Sequence, residues 1–185
     1  MIHTIKIQPA HHEACGLVSK QIMEYAQANH LQNWFGGSFE NHLQGMLCMF
    51  AVDQVLYKLG KRHTFDASVG RTDTFDMTIC GKRFEIKSGK VDSLEVLDEN
   101  PHFMAPVPKD QFDNGRGVDV CGYIFPIIDS KMENCRVMGW IETERVIVDD
   151  YGKEREIINW TDKQQKHHLS YRIPFYDLNG LGSIC

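Results

Sequence analysis

The spacing of apolar residues gives this chain a helical beginning and a strand-rich remainder. Residues 2–7 fit a short strand. Pro9 suits a helix start, where its missing amide costs nothing. Cys15, Val18, Ile22, Tyr25 and Ala26 then recur at helical spacing to about Asn29. Asn33–Gly37 reads as a turn, and Ser38 as the N-cap of a second helix. Leu43, Met46, Leu47, Phe50, Ala51, Val55 and Leu59 give that helix a broad apolar stripe, and Gly60 is a natural stop. A stripe this broad predicts burial against a sheet. Residues 61–73 read as a connection.

Between Thr74 and Lys90, T-F-D-M-T-I-C-G-K-R-F-E-I-K-S-G-K, the period changes to two. Phe75, Met77 and Ile79 are expected on one face, Asp76 and Thr78 on the other. In the second arm Phe84 and Ile86 are apolar, and Glu85 and Lys87 polar. A two-residue turn at Gly81-Lys82 would pair Thr78 with Glu85 and Asp76 with Lys87, leaving Asp76 and Glu85 as diagonal neighbours. Beyond the hairpin, Ser88–Gly117 is loop-rich, with Pro101, Pro106, Pro108 and Gly115. Val118–Ile128 is the clearest buried strand, and Arg136–Glu142 is another. Arg145–Val148 and Glu154–Ile158 read as a hairpin, and Tyr171–Phe175 as an extended run. Nothing marks a repeat or a boundary. The expectation is one domain over 1–185, of α/β class, with a mixed central sheet flanked by helices.

Asp76, Glu85 and Lys87 bring the chemistry. Two carboxylates and an ammonium on a half-buried strand surface are electrostatically costly, and a hard divalent cation between the carboxylates removes much of that cost. Glu-x-Lys alone recurs by chance; the upstream Asp at hairpin spacing gives the pattern its weight. Asp76 followed by Glu85-Ile86-Lys87 on the next strand resembles the core motif of the PD-(D/E)XK nuclease superfamily, over roughly residues 38–141. Phe75 stands where that motif often has Pro. The resemblance implies a restriction-endonuclease-like core. It also implies Mg²⁺ (with Mn²⁺ as a substitute) held by Asp76, Glu85 and the Ile86 backbone carbonyl, and Lys87 acting on the attacking water. The preceding helix often supplies another carboxylate in that family. Here Met49 occupies the comparable place, and Glu40 is the best substitute, with Gln44 one turn on. Arg71, Lys82, Arg83 and Lys90 are the candidate contacts to nucleic acid, and Asp73 lies close before Asp76.

Composition narrows this further. The net charge of −5 argues against a nonspecific basic coat for nucleic acid, though not against a nuclease whose acids hold cations. The six cysteines form no C-x-x-C pair, and a chain this long does not need disulfide staples, so reduced thiols and a cytoplasmic setting are expected. No apolar run approaches membrane-spanning length. Phosphate-cradling G-x-x-x-x-G-K-[ST], dinucleotide G-x-G-x-x-G and H-E-x-x-H motifs are absent. The resulting expectation is a Mg²⁺-dependent deoxyribonuclease, an endonuclease that would dimerise to cut both strands, with RNA as the other substrate class. The alternative is a noncatalytic nucleic-acid-binding or assembly protein that keeps a vestigial site.

Overall fold

Two long helices form where the residue spacing puts them. The computed structural model describes residues 2–29, 38–65, 75–100, 103–108, 120–148, 160–161, 167–168 and 170–185. Helix α1 spans Pro9–Ala28 and α2 spans Phe39–Lys58. Ser38 caps α2 by accepting the Asn41 amide. Gly60, at φ +66°, ends it: the Gly60 amide reaches the Tyr57 carbonyl and the Lys61 amide reaches Leu56. This pattern satisfies carbonyls that the last turn would otherwise orphan. On α2, Leu47, Cys48, Ala51, Val52, Val55 and Leu56 are fully buried, with Leu43, Met46, Phe50 and Leu59 partly buried along its flanks.

The sheet that α2 covers runs β1-β8-β7-β4-β3-β2, with β5 also pairing β7. Its strands are β1 (His3–Lys6), β2 (His63–Phe65), β3 (Met77–Ile79), β4 (Lys82–Ile86), β5 (Gly89–Val91), β7 (Gly122–Asp129) and β8 (Asn134–Glu142). The sheet is mixed: β4 and β5 run parallel to β7, and the other pairings are antiparallel. All eight residues of β7 are buried, as expected of a strand covered on both faces. Ile124 and Ile128 pack toward α2, whereas Tyr123, Phe125 and Ile127 pack into a second core on the other side.

That second core is roofed by a two-stranded ribbon, β6 (Met104–Pro108) against β11 (Ser170–Pro174), which contributes Ala105, Val107 and Ile173. Short helices α3 (Val96–Glu99) and α4 (Thr143–Val148) add Leu97 and Val146. A further short pairing joins β9 (Trp160–Thr161) and β10 (His167–His168). The architecture is therefore α/β, a mixed central sheet with helices against it.

Several expectations need correction. Strand β2 lies in the stretch read as a connection; at three residues it is too short to show alternation. Strands β5 and β6 and helix α3 lie within the stretch read as loop. Pro106 and Pro108 argued against a strand there, but a two-stranded ribbon has only edges, where proline is tolerated. Arg145–Val148 belongs to helix α4, not to a hairpin arm. There the Thr143 hydroxyl donates to the Val120 carbonyl at 2.7 Å and the Thr143 amide to Cys121 at 3.1 Å, turning the chain out of β8. The Glu154–Ile158 arm lies outside the described residues.

The thiols are a further correction. Cys80 and Cys185 form a disulfide across a sequence separation of 105, so the chain is not wholly reduced and the cytoplasmic expectation loses its basis. Cys15, Cys48, Cys121 and Cys135 remain thiols. Cys48 and Cys135 lie 3.9 Å apart in the core, where the contact with Cys48 and then burial push the Cys135 thiol well above its ordinary range. No helix among the described residues is long and apolar enough to cross a membrane.

The C-terminal strap packs closely on β8. The Trp140 and Asn179 backbones exchange hydrogen bonds of 2.9 and 2.8 Å, and Trp140 Nε1 donates to Ser183 Oγ at 3.0 Å. Gly139, at φ +153°, permits this approach, because a Cβ there would lie 2.6 Å from the Asn179 carbonyl oxygen and 2.8 Å from Leu178 Cβ. Gly139→Ala should therefore cost about 3 kcal/mol of stability, from overpacking and an unfavourable φ together. Denaturant unfolding checks this, and an unchanged midpoint would show that the strap yields freely.

Candidate metal centre

The β3–β4 hairpin is built on a turn one residue earlier than the spacing suggested. Ile79 pairs with Lys82, so the two turn residues are Cys80 (φ +50°) and Gly81 (φ +81°), not Gly81-Lys82. Positive φ at both positions matches the right-handed twist of the flanking strands. A cysteine bears this conformation at some cost. Its amide bond to the Arg62 carbonyl, 2.8 Å, and its disulfide hold it there. Thr78 consequently faces Arg83, and Met77 faces Phe84. Relative to the expected register, the partner of Thr78 moves by two residues. An even shift preserves which face each side chain takes. Phe84 and Ile86 pack toward α2, and Glu85 stands beside Tyr123 in the second core's face of the sheet.

The alternation breaks at Asp76. Met77 and Ile79 enter the helix-side core, but Phe75 packs with the second core, under the Arg83 guanidinium at 5.0 Å. At the break, the Asp76 amide donates to the Phe84 carbonyl at 3.0 Å, and the Asp76 carboxylate accepts the Ile86 amide at 2.6 Å. That amide joins Glu85 to Ile86, so the Asp76 carboxylate is fixed at the middle of the Glu85-Ile86-Lys87 tripeptide. The side chain does what the next ladder bond would have done, and the irregularity delivers a carboxylate to the strand edge.

Glu85 and Lys87 form an ion pair of 2.7 Å, with side chains 21% and 15% exposed. The strand beneath them is tightly registered. The Cys121 amide donates to Arg83 at 2.7 Å, and the Lys87 amide to Ile124 at 2.9 Å. Between those bonds, Glu85 pairs with Tyr123. Burial first, and then the Glu85 charge, push the Tyr123 phenol far above its ordinary range, so a neutral hydroxyl lies next to the carboxylate.

No family of known proteins, no curated protein and no solved structure matches this chain.

The remaining expected site residues are less concentrated. Glu40 does not join the carboxylates. It pairs with Lys90 at 2.8 Å, on the helix side of the sheet, while Gln44 one turn on donates to Ser88 Oγ at 3.4 Å. The Lys90 ammonium holds the Glu40 carboxyl below its usual range. Residues 86, 88 and 90 face α2 and residues 85 and 87 face away, so strand alternation separates Glu40 from the Glu85–Lys87 pair. The same ion pair engages Lys90, an expected contact to nucleic acid. Lys82 and Arg83 are exposed at the hairpin end. Arg71 and Asp73 lie outside the described residues.

Among the described residues, no three His, Cys, Asp or Glu side chains converge as a metal-binding cluster. The expected donor set is the Asp76 carboxylate, here fixed on the Ile86 amide, the Glu85 carboxylate, here paired with Lys87, and the Ile86 carbonyl. These are hard oxygen donors, which suit Mg²⁺ or Mn²⁺ in a shell completed by water and do not suit a thiophilic ion. One polar pair escaped the sequence reading. His63 Nε2 lies 2.9 Å from Asp53 Oδ1, and its Nδ1 lies 2.7 Å from the Lys61 carbonyl. Both ring nitrogens are engaged, so this pair offers no ligand. Its residues are ten apart on different elements, and no local pattern marks them.

Asp76→Asn keeps an acceptor for the Ile86 amide while removing the charge. Mn²⁺ affinity measured by calorimetry should fall at least about tenfold, with the unfolding midpoint little changed. Unaltered Mn²⁺ binding would put the ion elsewhere.

Proposed function

We propose that this chain is a Mg²⁺-dependent deoxyribonuclease, an endonuclease on a restriction-endonuclease-like core. One observation carries the reading: the Asp76 carboxylate is bound to the amide at the centre of Glu85-Ile86-Lys87, which draws together the residues that the sequence motif singles out. Position in the fold supports it. A buried helix precedes an antiparallel hairpin, whose second strand continues the sheet in parallel with β7.

In this reading Asp76, Glu85 and the Ile86 carbonyl would hold a divalent cation, which would lower the pKa of a water and offset charge on the phosphate. The chain's own groups do the rest. Lys87 orients the attacking water and stabilises charge developing on phosphorus. Tyr123, neutral and buried, walls Glu85 on its β7 side. Arg83, exposed above Phe75, takes a flanking phosphate as a bidentate donor. Lys82 adds a positive charge at the hairpin end. The water oxygen bonds to phosphorus as the bond to the 3′ oxygen breaks; the water's proton passes to solvent, and solvent protonates the leaving 3′ oxygen.

A noncatalytic nucleic-acid-binding protein on the same architecture is the second reading. The observation favouring it is Glu40, paired with Lys90 on the other side of the sheet, so the helix adds no acid to the centre. Incubation with supercoiled plasmid, linear duplex, single-stranded DNA and RNA, each with Mg²⁺, Mn²⁺ or a chelator, separates the two. The nuclease reading predicts cleavage of DNA with either metal and none with the chelator. Binding without cleavage would support the second reading.

A further inference from the structure

Glu85 already has a cation. The Lys87 ammonium sits 2.7 Å from Glu85 Oε1, on the same strand face two residues along, with both side chains largely shielded from water. A charge-assisted hydrogen bond in such a setting is short and strong compared with an exposed pair. The two residues are i and i+2 on one strand, so the strand itself sets their spacing, and its backbone is bonded to β7 at Arg83 and at Lys87. On the β7 side stands Tyr123, buried in the core and paired in register with Glu85, whose phenol offers no positive charge to replace the lysine. The carboxylate proposed to hold the ion is thus neutralised by the lysine proposed to act on water.

We infer that Lys87 is a resident counter-ion that a divalent cation must displace from Glu85, so that the cation's arrival and the lysine's release are one exchange. The inference rests on the metal-site reading and adds a regulatory consequence to it. Without a cation, Lys87 is held on Glu85 and is not presented to water or phosphate. With one, Glu85 changes partner and Lys87 swings toward the substrate's charge. The exchange conserves charge pairing throughout and moves no proton.

The sign of one measurement distinguishes this exchange from simple assistance. If Lys87 competes with the ion, removing its charge must tighten metal binding. Lys87→Met keeps the apolar stem and abolishes the ammonium. Mn²⁺ affinity, read by calorimetry and by the Mn²⁺-induced rise in unfolding temperature of each folded variant, should tighten roughly tenfold, the scale of one hydrogen bond to a charged group. Lys87→Arg, which keeps a charged donor in place, should bind no more tightly than the unaltered chain. Equal or weaker binding by Lys87→Met would overturn the exchange while leaving the metal site standing. If neither the unaltered chain nor Lys87→Met binds Mn²⁺, the metal-site reading falls and takes the exchange with it. Binding by the methionine variant alone would be the strongest form of the predicted result.

Discussion

Replacing Lys87 with methionine should reduce plasmid nicking by about two to three orders of magnitude, the usual cost of losing one preorganised electrostatic group. Folding should be retained. The Lys87 side chain is 15% exposed, and its stem can be replaced by methionine at little volume change. A lysine present only to neutralise Glu85 would behave differently. Its removal would leave the half-buried Glu85 carboxylate unpaired and lower stability modestly, as it would in either role, but it would spare the rate. Nicking rates at equal folded concentration, with thermal unfolding beside them, separate these roles. Equal rates would make Lys87 structural and remove the proposed mechanism.

The disulfide should contribute a large share of the stability. The bond joins the tip of the hairpin to the last residue, closing a loop of sequence separation 105. Long loops lose the most chain entropy when cross-linked, and removing such a bond typically costs about 2–4 kcal/mol. In a domain whose total stability is of order 5–15 kcal/mol, that fraction is large. Cys185→Ser should therefore unfold roughly 5–15 °C below the unaltered chain under non-reducing conditions. Adding a reductant should bring the unaltered chain down to the variant. The strap would not come away at once, because Leu181 and Ile184 are buried and Lys61 Nζ donates to the Ile184 carbonyl at 2.6 Å. Identical melting of variant and unaltered chain, with and without reductant, would show that these contacts suffice.

What could be read from sequence followed the range of the interaction. Helices α1 and α2 were legible from period, proline and caps, because 3.6-residue spacing and a Ser38 cap are local properties. Strand β7 was legible because a strand buried on both faces has to be apolar along its length, and β8 because its Val137–Ile141 stretch is buried. The hairpin was legible as a hairpin but not in register. Gly81 suggested its own turn, and Cys80 accepts positive φ only with the Arg62 carbonyl and Cys185 holding it, both contacts from outside the hairpin. Short strands β2, β5 and β6 were missed because three to five residues show no period, and the pairing of β6 with β11, itself legible as the extended run Tyr171–Phe175, is long-range. At the site, Glu85 and Lys87 on one face followed from alternation. The Asp76–Ile86 bond did not, since it depends on a break in that alternation. Glu40 was misplaced because a helix periodicity says which residues share a stripe, not which side of a neighbouring strand they meet.

Asp76, Glu85 and Lys87 are proposed to form a metal-dependent phosphodiester-cleaving centre. The most direct measurement is the conversion of supercoiled plasmid to the nicked form in Mg²⁺, followed by treatment of the product with a ligase that seals only 3′-hydroxyl against 5′-phosphate. The proposed centre should produce nicking that a chelator abolishes, and nicks that the ligase reseals, because the 3′ oxygen is the leaving group. Intact plasmid with both Mg²⁺ and Mn²⁺, or nicks that cannot be resealed, would contradict it.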